Sequence, residues 1–242
     1  MDLETLIAQI TDEICARIQG NAPQALSGPK PTDLSAHIEY TFSNPAVTTD
    51  EVRRMCEKAK NKKLASVCVP QWMVAFAKEQ LFGSDVKVST PVGLPGGMSS
   101  TAAKYAEVKE AVKNGADEVD IPLNMALLAN GEYEAVKKDI EEAMMPAKGR
   151  ICIKAVVELG LLPQQMAAAI DIAKKSGVEY LAVSAITGQQ MHDPSRVREL
   201  AGLCQGTVKL KLLGHIKDYS GASALVAAGG YRIGTSSVEA LV

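Results

Sequence analysis

The chain has 242 residues, of which 47% are hydrophobic and 4% aromatic, and its formal net charge is −2. This length suits one α/β barrel domain with a large core. The weak net charge and the low aromatic content argue against nucleic acid as a partner. No apolar run approaches the roughly 18 residues that a membrane span requires.

The first 35 residues differ in pattern from the rest of the chain. Residues 1–20 predict an amphipathic helix that ends near Gly20. Its apolar stripe consists of Leu3, Leu6, Ile7, Ile10, Ile14 and Ile18. Residues 21–35 are rich in proline, glycine and serine, which predicts a linker. The remaining residues, 36–242, form the predicted main domain.

In the main domain, eight short apolar segments alternate with longer amphipathic ones. Strands are predicted at 37–42, 64–69, 85–92, 117–124, 150–158, 179–185, 207–213 and 231–236. Helices are predicted at 49–62, 101–114, 133–147, 163–176, 193–203 and 218–228. This alternation predicts a (β/α)8 TIM barrel. An open doubly wound sheet is the alternative, but eight strands and the lack of a GxGxxG turn after the first strand disfavour its dinucleotide-binding form.

Alternation within the strands predicts which side chains face the barrel interior, because the side facing the helices should be apolar. By this rule Asp120, Lys154, Glu158 and Lys211 converge inside the barrel, and Ala182 also points inward. A structural cluster of ion pairs is one interpretation, since buried charges are costly unless paired. A reactive centre is the other. Burial and a neighbouring ammonium would lower the pKa of a lysine, which could then attack a carbonyl while a carboxylate relays protons.

The segments that follow the last two strands predict a phosphate site. "LLGHIK" supplies Gly214 and Lys217, and "YRIGTSS" supplies Gly234, Ser236 and Ser237. Loops after strands 7 and 8 of such barrels commonly bind phosphate through backbone N–H groups and a helix N-terminus. An ordinary capped turn is the alternative interpretation.

The cysteines and histidines show no metal-binding pattern. They are Cys15, Cys56, Cys68, Cys152, Cys204, His37, His192 and His215. The odd, scattered cysteines contain no CxxC pair, and the histidines lack ligand spacing. We therefore expect no metal, no cofactor and no disulfide framework, and we expect a reducing, cytoplasmic location.

Several segments together resemble the deoxyribose-phosphate aldolase family. They are "LASVCV", "GSDVKV", "VGLPGG", "EVKEAVKNGADEVD", "GEYEAVKKDI", "IKAVVELGLL" and "RIGTSS", within residues 38–237. The resemblance implies a class I aldolase on a TIM barrel, without metal. Such an enzyme cleaves 2-deoxyribose 5-phosphate to acetaldehyde and glyceraldehyde 3-phosphate through a lysine Schiff base.

The resemblance also implies roles for particular residues. Asp120 matches the family's proton-relay aspartate, and Lys211 matches the second lysine, which perturbs the Schiff-base lysine. The implied phosphate-binding positions are Gly188, Gly214, Gly234, Ser236 and Ser237.

The chain departs from the family around this site. "LAVSAITG" places Ala182 where a "VKTSTG"-like stretch has the Schiff-base lysine, and "EYT" at 39–41 replaces "DHT". Three hypotheses follow. Lys154 or Lys211 forms the imine instead, the barrel acts on a related sugar phosphate without an imine, or it binds a sugar phosphate without catalysis.

The N-terminal segment has its own resemblance. An amphipathic helix followed by a linker resembles the encapsulation peptides that carry enzymes into bacterial microcompartments, where the apolar stripe docks on a shell protein. Residues 1–20 packing on the barrel or mediating dimerisation is the alternative. The family resemblance also implies a homo-oligomer, such as a dimer.

Overall fold

The computed structural model describes residues 33–158, 165–185 and 192–242. Within these residues, eight parallel strands form a closed barrel in sequence order, and β8 pairs with β1. The strands are β1 (Ile38–Thr41), β2 (Ser66–Cys68), β3 (Lys87–Pro91), β4 (Glu118–Pro122), β5 (Cys152–Glu158), β6 (Tyr180–Ser184), β7 (Lys209–Leu213) and β8 (Gly230–Thr235). The (β/α)8 prediction is confirmed.

Helices connect the strands on the outside of the barrel. They are α1 (Thr49–Asn61), α2 (Val74–Gln80), α3 (Thr101–Lys113), α4 (Met125–Ala129), α5 (Tyr133–Ala143), α6 (Met166–Ser176), α7 (Pro194–Cys204) and α8 (Tyr219–Ala227). Short 3-10 turns occur at Ser35–His37, Gln71–Met73 and Val238–Ala240. None of the helices in the described residues is long and apolar enough to cross a membrane.

The ends of α1 and α5 follow from local sequence. Thr48 and Glu51 form a capping box at the start of α1, in which each side chain accepts a hydrogen bond from the other residue's backbone N–H. The helix predicted to run to residue 147 ends at Ala143. Pro146 explains part of this difference, because a proline disfavours helical conformation at the residue before it.

Two helices, α2 and α4, were not among the predicted ones. They contain only seven and five residues, so neither offers enough turns for a clear helical period. Leu34, within the predicted linker, is buried in the core, so this part of the predicted linker belongs to the barrel. The predicted N-terminal helix, 1–20, and linker residues 21–32 lie outside the described residues.

The main core lies between the barrel and its helices. Val119, Ile121 and Ile153 pack there and are almost fully buried, as the alternation of β4 and β5 predicts. The residues between them face the barrel interior. Parallel register aligns Asp120 with Lys154 and Ala182 with Lys211, which places the charged side chains in neighbouring layers.

Candidate functional site

Six charged side chains meet inside the barrel. They are Glu39, Glu118, Asp120, Lys154, Lys211 and Arg232, and all are buried. Three are carboxylates and three are cations, so their formal charges cancel. Alternation along four strands, β4, β5, β7 and β8, and the inward position of Glu39 on β1 bring them together. The prediction that Asp120, Lys154 and Lys211 lie side by side is confirmed by their contacts.

Lys154 is at the centre of the three carboxylates. Its Nζ lies 2.7 Å from Glu39 Oε2, 2.6 Å from Glu118 Oε2 and 3.4 Å from Asp120 Oδ1. Nζ also donates a hydrogen bond to Ser89 Oγ at 3.0 Å. Burial lowers the pKa of Lys154, but the carboxylates outweigh burial and raise this pKa well above its ordinary value. The expected lowering of the lysine pKa is therefore wrong for Lys154, which is held as an ammonium ion.

Lys211 bridges two carboxylates. Its Nζ donates to Asp120 Oδ2 at 2.5 Å and to Glu39 Oε1. The Asp120–Lys211 contact joins the two side chains that the family resemblance assigns to proton transfer and to perturbing the imine. Lys211 has no exposed surface. Its register partner on β6 is Ala182.

Glu39 is the central residue that the sequence analysis did not select. It contacts both lysines, and its Oε2 also accepts a hydrogen bond from Ser66 Oγ at 3.1 Å. Burial raises the pKa of Glu39, but the Lys154 and Lys211 charges outweigh it and hold the pKa well below its usual range. Alternation in "HIEYTF" was the available signal, since Ile38 and Tyr40 belong to the opposite face.

Arg232 is the other missed member of the cluster. Its Nη1 donates to Ser66 Oγ at 2.7 Å and to Glu118 Oε2 at 3.3 Å. The outward position of Ile233 in "YRIGTS" would have assigned Arg232 to the interior. Each carboxylate of the cluster already contacts a lysine, and the guanidinium adds a second cationic neighbour for Glu118.

A small apolar layer lies nearer the C-terminal end of the barrel. Val156, Ala182 and Leu213 form this layer, and each is at least nine-tenths buried. Leu213 follows Lys211 by two residues on the same face of β7, so it covers that lysine towards the mouth. Ala182 therefore stands in apolar surroundings and offers no amine.

A pocket of about 390 Å³ opens at the C-terminal ends of β1, β7 and β8, and we call it the mouth pocket. Its lining includes Leu213, Gly214, Lys217, Gly234, Ser236 and Ser237. Four of the five implied phosphate-binding residues thus share one pocket, while Gly188 lies outside the described residues.

Hydrogen bonds tie the two loops of the mouth pocket together. Thr235 Oγ1 donates to the Ile216 carbonyl at 2.9 Å and accepts from the Ser237 N–H at 2.9 Å. A Cβ at Gly234 would lie 2.2 Å from Leu213 Cδ2, so a side chain there would displace the Leu213 side chain. The hydrogen bonds of Thr235 therefore join the two loops through the chain's own groups.

Glu158 faces the interior at the C-terminal end of β5, beyond Val156. Its register partner is Ser184 of β6, and its Oε2 is buried without a hydrogen-bond partner among the described residues. It does not contact the charged cluster in the described residues, so of the predicted inward set only Asp120, Lys154 and Lys211 come together.

Glu39, Cys68 and Asp120 offer ligand atoms within 4.8 Å of one another. The Lys211 ammonium contacts both carboxylates of this group. Burial, followed by the nearby carboxylates, raises the pKa of the Cys68 thiol, so the thiolate that a metal prefers is disfavoured. A metal would have to displace the ammonium, and this group is poorly suited to holding one.

Comparisons with known proteins give similar sequences and similar folds. The model of the family described as DeoC/LacD family aldolase matches residues 30–177. The deoxyribose-phosphate aldolase of Clostridium novyi is 33% identical over 214 residues, which cover 87% of this chain and 95% of that protein. A solved structure, "QR15, an Aldolase", has a TM-score of 0.81 at 26% identity and covers 87% of this chain and 94% of its own.

A third comparison concerns the fold alone. The deoxyribose phosphate aldolase of Aeropyrum pernix, whose structure is described as tetrameric, has a TM-score of 0.76 at 23% identity and covers 86% of this chain and 88% of its own. The family-model match ends at residue 177, before β6, the strand that carries Ala182.

Proposed function

The chain belongs to the DeoC/LacD family of aldolases, and from that premise we propose that it is an aldehyde-lyase that cleaves 2-deoxyribose 5-phosphate or a related sugar phosphate. The observation that carries this proposal is the position of Gly214, Gly234, Ser236 and Ser237 on one pocket, above the Asp120–Lys211 pair. The phosphate binds between the loops after β7 and β8, and the sugar extends towards the barrel axis.

Strand register favours Lys211 over Lys154 as the lysine that forms the imine. Ala182, in the place of the family's lysine, is paired with Lys211, whereas Lys154 is paired with Tyr180, two residues deeper on the same face of β6. Neighbouring strands are about 4.8 Å apart, so the Lys211 side chain begins next to position 182. Lys154 is also the lysine that three carboxylates hold as an ammonium ion.

The proposed reaction uses Lys211, Asp120 and water. Lys211 passes its proton to Asp120, and the free amine adds to the substrate aldehyde to give a carbinolamine. Asp120 protonates the carbinolamine hydroxyl group, which leaves as water and gives a protonated imine. The Asp120 carboxylate then takes the proton of the hydroxyl group on C3, the C2–C3 bond breaks, and its electron pair moves onto the protonated imine to form an enamine. Asp120 returns that proton to C2, and water releases acetaldehyde and leaves Lys211 as an ammonium ion. For 2-deoxyribose 5-phosphate, the other product is glyceraldehyde 3-phosphate.

A second candidate is sugar-phosphate binding without an imine. The apolar layer of Val156, Ala182 and Leu213 favours it, because this layer lies between the mouth and the buried lysines. Imine formation on Lys211 requires the Leu213 side chain to move aside. If that movement does not occur, the mouth pocket binds the phosphate and the cluster below serves only to stabilise the barrel.

Borohydride trapping separates the two candidates. The full chain is incubated with 2-deoxyribose 5-phosphate and reduced, and the modified peptide is identified by mass. Calorimetry with the same compound measures binding independently. An adduct on Lys211 supports the proposed lyase, and an adduct on Lys154 contradicts the assignment of the nucleophile. Binding without an adduct supports the second candidate, whereas the absence of binding rejects both.

The segment outside the described residues has a separate proposed role. Residues 1–20 act as a docking helix for a microcompartment shell protein, linked by residues 21–35 to a homo-oligomeric barrel in the cytoplasm. The apolar stripe of the sequence supports this role. Deleting Met1–Gly20 should abolish co-localisation with shell proteins. The number of chains in the oligomer should stay unchanged. Unchanged co-localisation would contradict the docking role.

A further inference from the structure

A second pocket, of about 240 Å³, adjoins the mouth pocket, and we call it the side pocket. It lies between the end of β1 and helix α1. Four residues line both pockets: Thr41, Phe42, Ser43 and Ser236. Because the two pockets share these residues, they adjoin each other at the C-terminal end of β1.

The side pocket is lined by two cations one helical turn apart on α1, Arg54 and Lys58. Its one lining carboxylate, Glu51, is engaged locally, because its Oε2 accepts hydrogen bonds from the Thr48 N–H at 2.7 Å and from Thr48 Oγ1 at 2.9 Å. Lys58 pairs with the largely exposed Glu239. Such a pair is screened by solvent, so an incoming anion competes with it readily.

Of the two pocket cations, Arg54 is the one without a hydrogen bond or ion pair to another described residue. Hydrogen bonds from Thr48 lower the pKa of Glu51, and the charge of Arg54 is the last of the causes that lower it. The neighbouring Arg53 differs, since it pairs with Asp50 and lies 5.5 Å from the centre of the Phe76 ring. Arg54 is thus on the pocket side of α1 with its guanidinium available, and Arg53 is held elsewhere.

We propose that the side pocket binds a second anionic group, a phosphate or a carboxylate, of the ligand whose first phosphate occupies the mouth pocket. This inference rests on the proposed function and states that, among the related sugar phosphates, those with a second anionic group bind tighter than those with one. Arg54 binds the second group through charge-assisted hydrogen bonds, with Lys58 and Ser236 beside it. A phosphate oxygen has the geometry that the planar guanidinium favours.

Calorimetry with matched probes tests the inference on the full chain. The probes are inorganic phosphate, pyrophosphate, a hexose 6-phosphate and the corresponding hexose 1,6-bisphosphate, all at one salt concentration. The two variants are Arg54→Gln and Arg53→Gln. Arg53→Gln is the matched control, because both arginines are exposed residues of α1. In the unaltered chain we expect at least one doubly phosphorylated probe to bind about tenfold tighter than its singly phosphorylated counterpart.

The two variants then show whether Arg54 binds the second anionic group. Arg54→Gln should remove most of that tenfold advantage and leave binding of the single phosphate almost unchanged, while Arg53→Gln keeps the advantage. The inference is overturned if neither doubly phosphorylated probe binds tighter, or if Arg54→Gln keeps the difference. A failure of the proposed function has another signature, since inorganic phosphate and hexose 6-phosphate would then not bind, and Lys217→Gln would change nothing.

Discussion

Ala182 lies on the interior face of β6, in contact with Val156 and Leu213 and in register with Lys211. An alanine has no nucleophile, so the family's chemistry has to move to another residue or stop here. Lys211 is its lateral neighbour, yet its amine is bound by Glu39 and Asp120. We therefore ask first whether a lysine at position 182 could form an imine with the bound sugar phosphate.

Ala182→Lys tests whether the rest of the site is competent. We expect burial and the neighbouring Lys211 ammonium to lower the pKa of the new amine, which favours attack on a carbonyl. Borohydride trapping with 2-deoxyribose 5-phosphate should then give an adduct at position 182. The larger side chain should lower the free energy of unfolding by roughly 1–3 kcal/mol.

Ala182→Met is the control for this change, because it adds a side chain of similar length without an amine. It should show a similar loss of stability and no adduct at position 182. If Ala182→Lys folds and binds the sugar phosphate but gives no adduct, the pocket does not present the substrate carbonyl to β6, and the proposed orientation of the sugar is wrong.

The loops after β3 and β4 show how the elements position the mouth of the barrel. Gly97 has a φ of +68°, and a Cβ there would lie 2.4 Å from the Leu123 carbonyl oxygen. Close by, the buried Lys104 of α3 pairs with Asp139 of α5 and donates to the Gly97 carbonyl at 3.4 Å. The backbone contact therefore holds the two loops together, while the buried ion pair joins α3 to α5 and Lys104 ties the first loop to α3.

Gly97→Ala should destabilise the protein more than Gly131→Ala. Both glycines have positive φ, but nothing lies within 4 Å of a Cβ at Gly131. The backbone conformation alone should cost about 1–2 kcal/mol at Gly131, and the clash should raise the loss at Gly97 to roughly 3 kcal/mol or more. Denaturant unfolding measures both. Equal losses would show that the two loops do not approach as closely as the structure describes.

In the molecule as a whole, the neutral cluster of three carboxylates and three cations links five strands, β1, β4, β5, β7 and β8, across the barrel. Lys154 on β5 reaches Glu39 on β1, on the opposite side of the barrel. Removing one member of such a buried group leaves its partner unpaired, which is strongly destabilising. The cluster therefore determines how the stability of the barrel depends on pH.

We expect stability to be highest on a broad pH plateau. The pKa of Glu39 is below its ordinary value of 4.5, so its contribution is complete above that pH and is lost as the pH falls below it. The pKa of Lys154 is above its ordinary value of 10.5, so its contribution is complete below that pH and is lost as the pH rises above it. Urea unfolding at a series of pH values measures both limbs.

Glu39→Gln should lower the free energy of unfolding on the pH plateau by about 3–5 kcal/mol. It should also make the fall of this free energy at acid pH less steep. Glu199→Gln is the control, because Glu199 is an exposed carboxylate paired with Arg196, and it should change little. If Glu39→Gln leaves the acid limb as steep as before, Glu39 is not the group that links acid pH to unfolding.

Patterns in the sequence are enough to predict the barrel and the direction of its strand side chains. Alternation of apolar and polar residues in β4, β5 and β7 predicted that Asp120, Lys154 and Lys211 face inward, because a strand has a period of two. The same rule would have added Glu39 and Arg232. The glycine and serine residues after β7 and β8 predicted the lining of the mouth pocket, since connections at the C-terminal ends of parallel strands meet at one face.

The protonation of Lys154 and the strand partner of Ala182 depend on tertiary contacts. The pKa of Lys154 depends on carboxylates from β1 and β4, which are distant in sequence, so burial alone gave the wrong direction. Strand register, which depends on the packing of the whole barrel, decided that Lys211 rather than Lys154 is paired with Ala182. The adjoining side pocket with Arg54 likewise arises where α1 and the end of β1 meet Ser236, which is distant in sequence, so no local pattern encodes it.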